Sequence, residues 1–288
     1  MRLDNLSDLP RNPSPQPDGP GWETDGASLK AYVHQSTGVW FGRVDVKGRP
    51  TVYFQAASRD LLVSEMEASF RRPPPRIYSL ADARKRFLEI YPGGYENAAY
   101  QAGERGGKVE ASALLAPILE AGTGVEIAIE LMRKARTLLS RGLQAPLHLT
   151  EASDLDAVWR GPSAAVHIDG LRRWAAGDRE AGLELTLRAL DGVRQSWPMV
   201  TLFPALLNPR DEAILRPMAV RVFARAVRPT FDAAYDSTPN KNIYEDYLEM
   251  LEIASRGVMD LAPQDNIDLT NLVWISTSYD ADIQPRGE

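Results

Sequence analysis

The segment RRPPPR, residues 71–76, divides the chain into two parts with different residue patterns. Pro73, Pro74 and Pro75 lack amide hydrogens and hold φ near about −65°, so they fit neither a helix interior nor a central strand. They favour an extended polyproline conformation that acts as a stiff spacer. The sequence therefore predicts a Pro/Arg linker at 71–78.

The part before the linker is rich in residues that favour strands. The runs VWFGRVDV (39–46) and TVYFQ (51–55) are joined by a short Gly- and Pro-containing loop, which predicts a β-hairpin. Trp40, Val44 and Val46 alternate onto one face, as in a half-buried strand. LKAYVHQ (29–35) and DLLVS (60–64) read as further short strands. Together they predict a small SH3-like β module at 26–70.

The part after the linker has helical periodicity. Ser79 is a candidate N-cap with Asp82 three residues on, and Leu80, Phe87 and Tyr91 follow at helical spacing. Further helices are predicted near 108–121, 124–140, 163–175, 178–195 and 242–259, while 268–278 fits either a helix or a buried strand. The predicted fold class is α+β, with the β module followed by a predominantly α-helical domain at 79–288.

Residues 1–25 are dominated by Pro, Asp, Gly, Asn and Ser, which predicts a flexible tail that docks at most locally through Trp22.

The chain has no cysteine, which excludes disulfides, thiolate nucleophiles and Cys-ligated zinc. The first residues lack the apolar core of a signal peptide, and no apolar run has the length of a membrane span. We expect a cytoplasmic protein with no membrane partner.

The segment GERGGKV (103–109) resembles a phosphate-binding loop but departs from its spacing. Gly103 lies one residue too close to the Gly-Lys pair, and Val109 replaces the hydroxyl residue that would bind magnesium. Glu104 and Lys108 are interpreted as a surface charge pair rather than as part of a nuclease site. His34, His148 and His167 are far apart in sequence and form no metal motif. No catalytic residue, cofactor or metal site is predicted.

Basic residues are concentrated in two stretches, although the formal net charge of the chain is −6 at pH 7. One stretch is 71–86, and the other is PRDEAILRPMAVRVFARAVRP at 209–229. A basic face there suits phosphate groups. The candidate nucleic-acid-binding residues are Arg71, Arg72, Arg76, Arg216, Arg221 and Arg225. Alternatively, these arginines could pair with carboxylates of the chain's own acidic segment, 230–288, or of a partner.

Several short segments, in the same order, resemble the sequence pattern of a group of proteins. RFLEIYPGGYEN (86–97), ERGGKVEA (104–111) and SWPMVTLFPALLNP (196–209) are followed by AILRP (213–217), PNKNIYEDYLEML (239–251) and LAPQDNIDLTNLVWI (261–275). This series resembles a group of bacterial proteins without an established activity. Gly106 and Gly107 stand where that pattern has an aromatic residue. The resemblance implies a bacterial origin and a small β module before a helical body.

These patterns lead to one main expectation and two alternatives. We expect a non-catalytic nucleic-acid-associated or regulatory bacterial protein that uses a basic face. The first alternative is a protein-interaction subunit of a bacterial defence or regulatory complex. The second is a metal-dependent enzyme whose site is assembled from residues distant in sequence.

Overall fold

The computed structural model describes residues 2–3, 22–24, 27–33, 40–46, 52–56, 58–71, 77–120, 122–140, 147 and 149–278. The chain divides into two compact units, 1–76 and 77–288. The first holds an antiparallel sheet and one helix, and the second is built from helices. The predicted α+β class is confirmed at this level.

The strands of the first unit are β1 (Arg2–Leu3), β2 (Trp22–Thr24), β3 (Ala27–Val33), β4 (Trp40–Val46) and β5 (Val52–Ala56). They form one antiparallel sheet in the order β1-β5-β4-β3-β2. The predicted hairpin is β4 and β5, with Gly42 opposite Phe54. Among the described residues, β1 pairs with β5 and β2 with β3, so these two strands form the ends of the sheet.

One face of the sheet packs against helix α1 (Arg59–Arg71). Leu29, Val44 and Phe54 on the sheet meet Leu62 and Met66 on the helix. The strand predicted at DLLVS (60–64) is therefore wrong, because this segment is helical. Leu62 and Met66 are four residues apart and both fully buried, which is the spacing of one helix face.

Most of the tail predicted at 1–25 lies outside the described residues, and its described parts, Arg2–Leu3 and Trp22–Thr24, pair into the sheet. Trp22 lies opposite Leu29 of β3. Arg71 is the last residue of α1, and the linker residues Arg72 and Arg76 lie outside the described residues.

Within its described residues, the second unit contains twelve α-helices. They are α2 (Leu80–Ile90), α3 (Ala98–Tyr100), α4 (Gly106–Leu115), α5 (Val125–Ser140), α6 (Leu149–Arg160), α7 (Ala164–Ala175), α8 (Arg179–Ala189), α9 (Trp197–Leu207), α10 (Pro217–Val227), α11 (Pro229–Ala234), α12 (Lys241–Gly257) and α13 (Asn266–Ser278). The ambiguous segment 268–278 is thus helical. The predicted cap of α2 is present, since the Ser79 side chain accepts from the Asp82 amide.

Helix α9 lies at the centre of this unit, with α4, α7 and α8 packed against it. Every residue from Trp197 to Leu206 is buried, as expected for a helix that is apolar on all sides. The predicted helices include none that begins at Trp197, so the sequence analysis misses α9. Pro198 is tolerated because it lies in the first turn, whereas Pro204 lies inside the helix. Within the described residues, no helix is both long and apolar enough to cross a bilayer.

Helices α7 and α8 approach each other closely at Gly182. A Cβ atom on Gly182 would lie 2.6 Å from the Cβ and 2.7 Å from the backbone N of Trp174. These atoms are too close for a side chain, and neither belongs to a flexible group that could move aside. The contact therefore requires glycine.

We expect Gly182→Ala to lower the free energy of unfolding by about 1–3 kcal/mol, because α7 and α8 must separate to admit the methyl group. The matched control is Gly107→Ala on α4, where a Cβ would meet nothing within 4 Å. That variant should be unchanged or slightly more stable, since alanine favours helices. Urea denaturation measures both, and equal stabilities would contradict the close approach.

Candidate functional site

A group of buried polar side chains, with the partly buried Asp265, joins the start of α4 to the start of α13, and we call it the buried polar cluster. Its members are Glu104, Arg105, Lys108, Asp265, Asp268 and Asn271. The first three come from the motif GERGGKV, and the last three lie about 160 residues later. The fold thus brings together two segments that the sequence analysis treats separately.

A π-helical turn, Gln101–Arg105, positions the first half of this cluster between α3 and α4. The amide of Gly106 donates to the carbonyl of Gln101, five residues earlier. A Cβ on Gly106 would lie 2.8 Å from that carbonyl oxygen, so the turn requires glycine here. Such turns often occur at functional sites because they redirect side chains within a helix.

Arg105 binds both aspartates of the cluster. Its Nη1 donates to Asp265 Oδ1 and to Asp268 Oδ1 at 2.8 Å each, and its Nη2 donates to Asp265 Oδ2 at 2.7 Å. Asp268 also accepts from the hydroxyl of Tyr100 and from the amide of Gln264. Its carboxylate is fully buried, and these donors compensate for its desolvation.

Aromatic rings line the side of the cluster nearest α2. Tyr91 donates to Glu104 Oε1 at 3.0 Å, and Tyr100 packs edge-on against Phe87 and Tyr91. Burial first, and then the charge of Asp268, raises the pKa of the Tyr100 hydroxyl well above its usual value. Tyr100 is therefore a neutral hydrogen-bond donor to Asp268 throughout the physiological range.

Lys108 is the basic group of the cluster whose pKa is lowered. Its Nζ donates to the carbonyl of Glu104 at 2.8 Å and to Asn271 Oδ1 at 2.9 Å. Burial lowers the pKa of the Lys108 ammonium to about 8; the positive charges of Arg216 and Arg105 act in the same direction, and the carboxylates of Glu104 and Asp268 oppose it. A lysine with this pKa is partly neutral at slightly alkaline pH.

A cavity of about 10 Å³ lies beside Lys108 and is lined also by Arg216, Tyr247, Asn271 and Trp274. This volume accommodates about one water molecule and no organic substrate. The cluster also places the two basic groups, Arg105 and Lys108, among three carboxylates, those of Glu104, Asp265 and Asp268. The geometry therefore suits a cross-link between α4 and α13 better than a reaction site.

The interpretation of Glu104 and Lys108 as a surface pair is wrong, since their exposed fractions are 3% and 5%. A sequence signal for this burial does exist. Tyr100, Glu104 and Lys108 recur every four residues and lead to the buried Ala111, so all lie on one helix face. The predicted helix at 108–121 begins too late to include Glu104, and this hides the pattern.

The second candidate region is the surface of α10. Arg221 Nε lies 2.7 Å from Asp232 Oδ1, and Arg225 Nε lies 2.9 Å from Asp232 Oδ2. The guanidinium of Arg221 also stacks on the ring of Tyr235, 5.2 Å from its centre. The structure therefore brings two of the predicted phosphate-binding arginines together. Their common partner, Asp232, lies outside the basic stretch, and the sequence analysis does not single it out.

The remaining candidate arginines occupy different places. Arg216 stacks on Trp274 at 4.4 Å and lines the cavity beside Lys108. It precedes Arg221 by five residues, so the two point to different sides of the chain. Nothing is described for the side chain of Arg71, and Arg72 and Arg76 lie outside the described residues. Arg228 ends α10 and pairs with Asp246 and Glu249 of α12.

Of the three histidines, His167 is described, and it is fully buried on α7. Trp159 Nε1 donates to His167 Nδ1 at 2.9 Å, so the neutral ring carries its proton on Nε2. Among the described residues, Nε2 has no hydrogen-bond partner. Burial lowers the pKa of His167 from 6.5 to about 4.

Within the described ranges, no three His, Cys, Asp or Glu side chains are grouped so that they could hold a metal ion. Comparison of the chain with protein-family models, curated proteins and solved structures returns no match.

We expect Asp268→Ala to lower the free energy of unfolding by about 3 kcal/mol, because the Tyr100 hydroxyl loses its buried acceptor and Arg105 keeps only Asp265. The control is Asp260→Ala, which removes a carboxylate from an exposed pair with Arg84. That pair lies in water and should contribute little. Urea denaturation of the two variants tests this, and losses of similar size would refute a special role for the cluster.

We expect His167 to make the protein less stable as the pH falls from 6.5 towards 4. The unfolded chain binds a proton in this window and the folded chain does not, so up to about 3 kcal/mol of stability is lost. His167→Gln keeps an acceptor for Trp159 but does not titrate. Its free energy of unfolding, measured in urea at pH 7 and pH 4, should fall by less than that of the wild type. If the free energy of unfolding fell equally in the wild type and in His167→Gln, His167 would not be buried in its neutral form.

Proposed function

We propose that the protein is a non-catalytic regulatory protein that binds nucleic-acid phosphates through the basic face of α10. The observation that carries the proposal is the arrangement of Arg221 and Arg225 around Asp232. Their side chains are held side by side and are still 42% and 60% exposed. They form an accessible, fixed pair of guanidinium groups.

The chemistry of arginine makes this pair suitable for phosphate. A guanidinium has five N–H donors in a planar fork, and phosphate oxygens accept them in pairs. Each arginine donates only its Nε hydrogen to Asp232. Within the described part of the chain, no acceptor bonds to their terminal amino groups. Those amino groups remain for an external oxyanion.

The proposal also includes features that the sequence suggests. The linker arginines Arg71, Arg72 and Arg76 would add phosphate contacts, and the β module would act as an SH3-like docking module. The short antiparallel strands of that module support this interpretation in part. Helix α1 covers one face of the sheet, so docking would use the other face or an edge. A bacterial, cytoplasmic protein remains part of the proposal.

The alternative is a protein-interaction subunit of a bacterial defence or regulatory complex. One observation favours it. Met218 is 45% exposed and precedes Arg221 by three residues and Arg225 by seven, so all three lie on one side of α10. An exposed methionine beside arginines is a combination that protein interfaces use, since both residues are enriched there.

We expect the double variant Arg221→Gln/Arg225→Gln to bind short fluorescent DNA and RNA at least about tenfold more weakly than the wild type at low salt. The slope of log K against log salt should fall by about two, because each arginine neutralises about one phosphate. The matched control is Arg256→Gln, since Arg256 is exposed and paired with Glu252 on α12. Fluorescence anisotropy at several salt concentrations measures all three.

Flat anisotropy curves for the wild type, with both single strands and duplexes, would refute nucleic-acid binding. A stoichiometric protein that co-purifies with the wild type but not with the double variant would then favour the interaction subunit. Equal weakening by the Arg256 control would show that the effect is not specific to α10.

A further inference from the structure

The short helix α11 folds back on α10 and carries an acidic residue to the basic face. Arg228 has the extended angles φ −146° and ψ 76°, and Pro229 follows as the first residue of α11. Phe231 is fully buried and anchors α11 to the core. The next residue, Asp232, is thereby fixed beside the two arginines of α10.

Both oxygens of the Asp232 carboxylate are engaged by this pair. Oδ1 accepts from Arg221 Nε at 2.7 Å, and Oδ2 accepts from Arg225 Nε at 2.9 Å. A carboxylate bound by two guanidinium groups occupies the kind of position that a phosphate oxyanion would take. Its negative charge also cancels part of the positive charge that would attract an external phosphate.

We propose that Asp232 is an internal competitor that weakens the binding of nucleic-acid phosphates to Arg221 and Arg225. This inference rests on the proposed function and identifies the residue that sets its strength. An external phosphate must bind beside the Asp232 carboxylate or displace it from the Nε atoms. In either case the carboxylate repels the phosphate over a distance of a few ångströms.

Two effects of removing the charge oppose each other. Loss of the repulsion strengthens binding by roughly threefold or more at low salt, where exposed charges are least screened. Loss of the anchor frees the arginine side chains, which weakens binding. Asparagine keeps one acceptor oxygen at the same position, and the stack on Tyr235 still holds Arg221. We therefore expect the gain to exceed the loss for Asp232→Asn.

The experiment compares the full-length wild type, Asp232→Asn and a control, Asp169→Asn, by anisotropy with a single-stranded oligonucleotide and a duplex at low salt. Asp169 pairs with Arg173 on α7, so its variant makes the same change in net charge at another ion pair. We expect Asp232→Asn to bind at least about threefold more tightly than the wild type. The control should bind like the wild type. In the Arg221→Gln/Arg225→Gln background, Asp232→Asn should give no gain.

Each result decides the matter. If the wild type binds and Asp232→Asn binds equally or more weakly, the competitor role is wrong and the proposed function stands. If only Asp232→Asn binds, Asp232 blocks the site and the wild type is not a constitutive nucleic-acid binder. If neither binds, both proposals fail. An equal gain in the Asp169 control also overturns the inference. Asp232→Ser is measured in parallel and replaces Asp232→Asn if the latter has a lowered unfolding midpoint.

Discussion

Arg105 and Asp268 meet at 2.8 Å in the interior of the helical unit, and both side chains are almost wholly excluded from water. A charge in such a place is stable only if every donor and acceptor around it is matched. The hydroxyl of Tyr100 and the amide of Gln264 donate hydrogen bonds to Asp268. The π-helical turn positions Arg105. This pair and apolar packing together hold α13 in the helical unit.

Local patterns predict much of this fold. The hairpin of β4 and β5 is visible in alternating residues, and the start of α2 is visible in Ser79 and its spacing to Asp82. The prediction fails where local and tertiary signals differ. The apolar residues of 60–64 suit a strand, but Leu62 and Met66 are buried as a helix face. The prolines of α9 suggest a break, yet burial on all sides stabilises that helix.

The candidate site is less predictable from the sequence than the fold. The arginines of α10 are evident as a basic stretch, and Arg221 and Arg225, four residues apart, lie on one side of the helix. Their shared partner Asp232 is separated from them by a proline and a change of helix, so no periodicity points to it. The four-residue spacing of Glu104 and Lys108 indicates one helix face. Their contact with Asn271, however, is visible only in the folded chain.

The separation between Arg105 and Asp268 is 163 residues, and this has a consequence for the order of folding. A ribosome makes α3, α4 and every helix up to α12 before it makes α13. During that time Arg105 and Lys108 have no contact with Asp268 or Asn271. Contacts between such distant segments form slowly because a long loop must close first. The buried polar cluster can therefore be completed only after translation has passed residue 271.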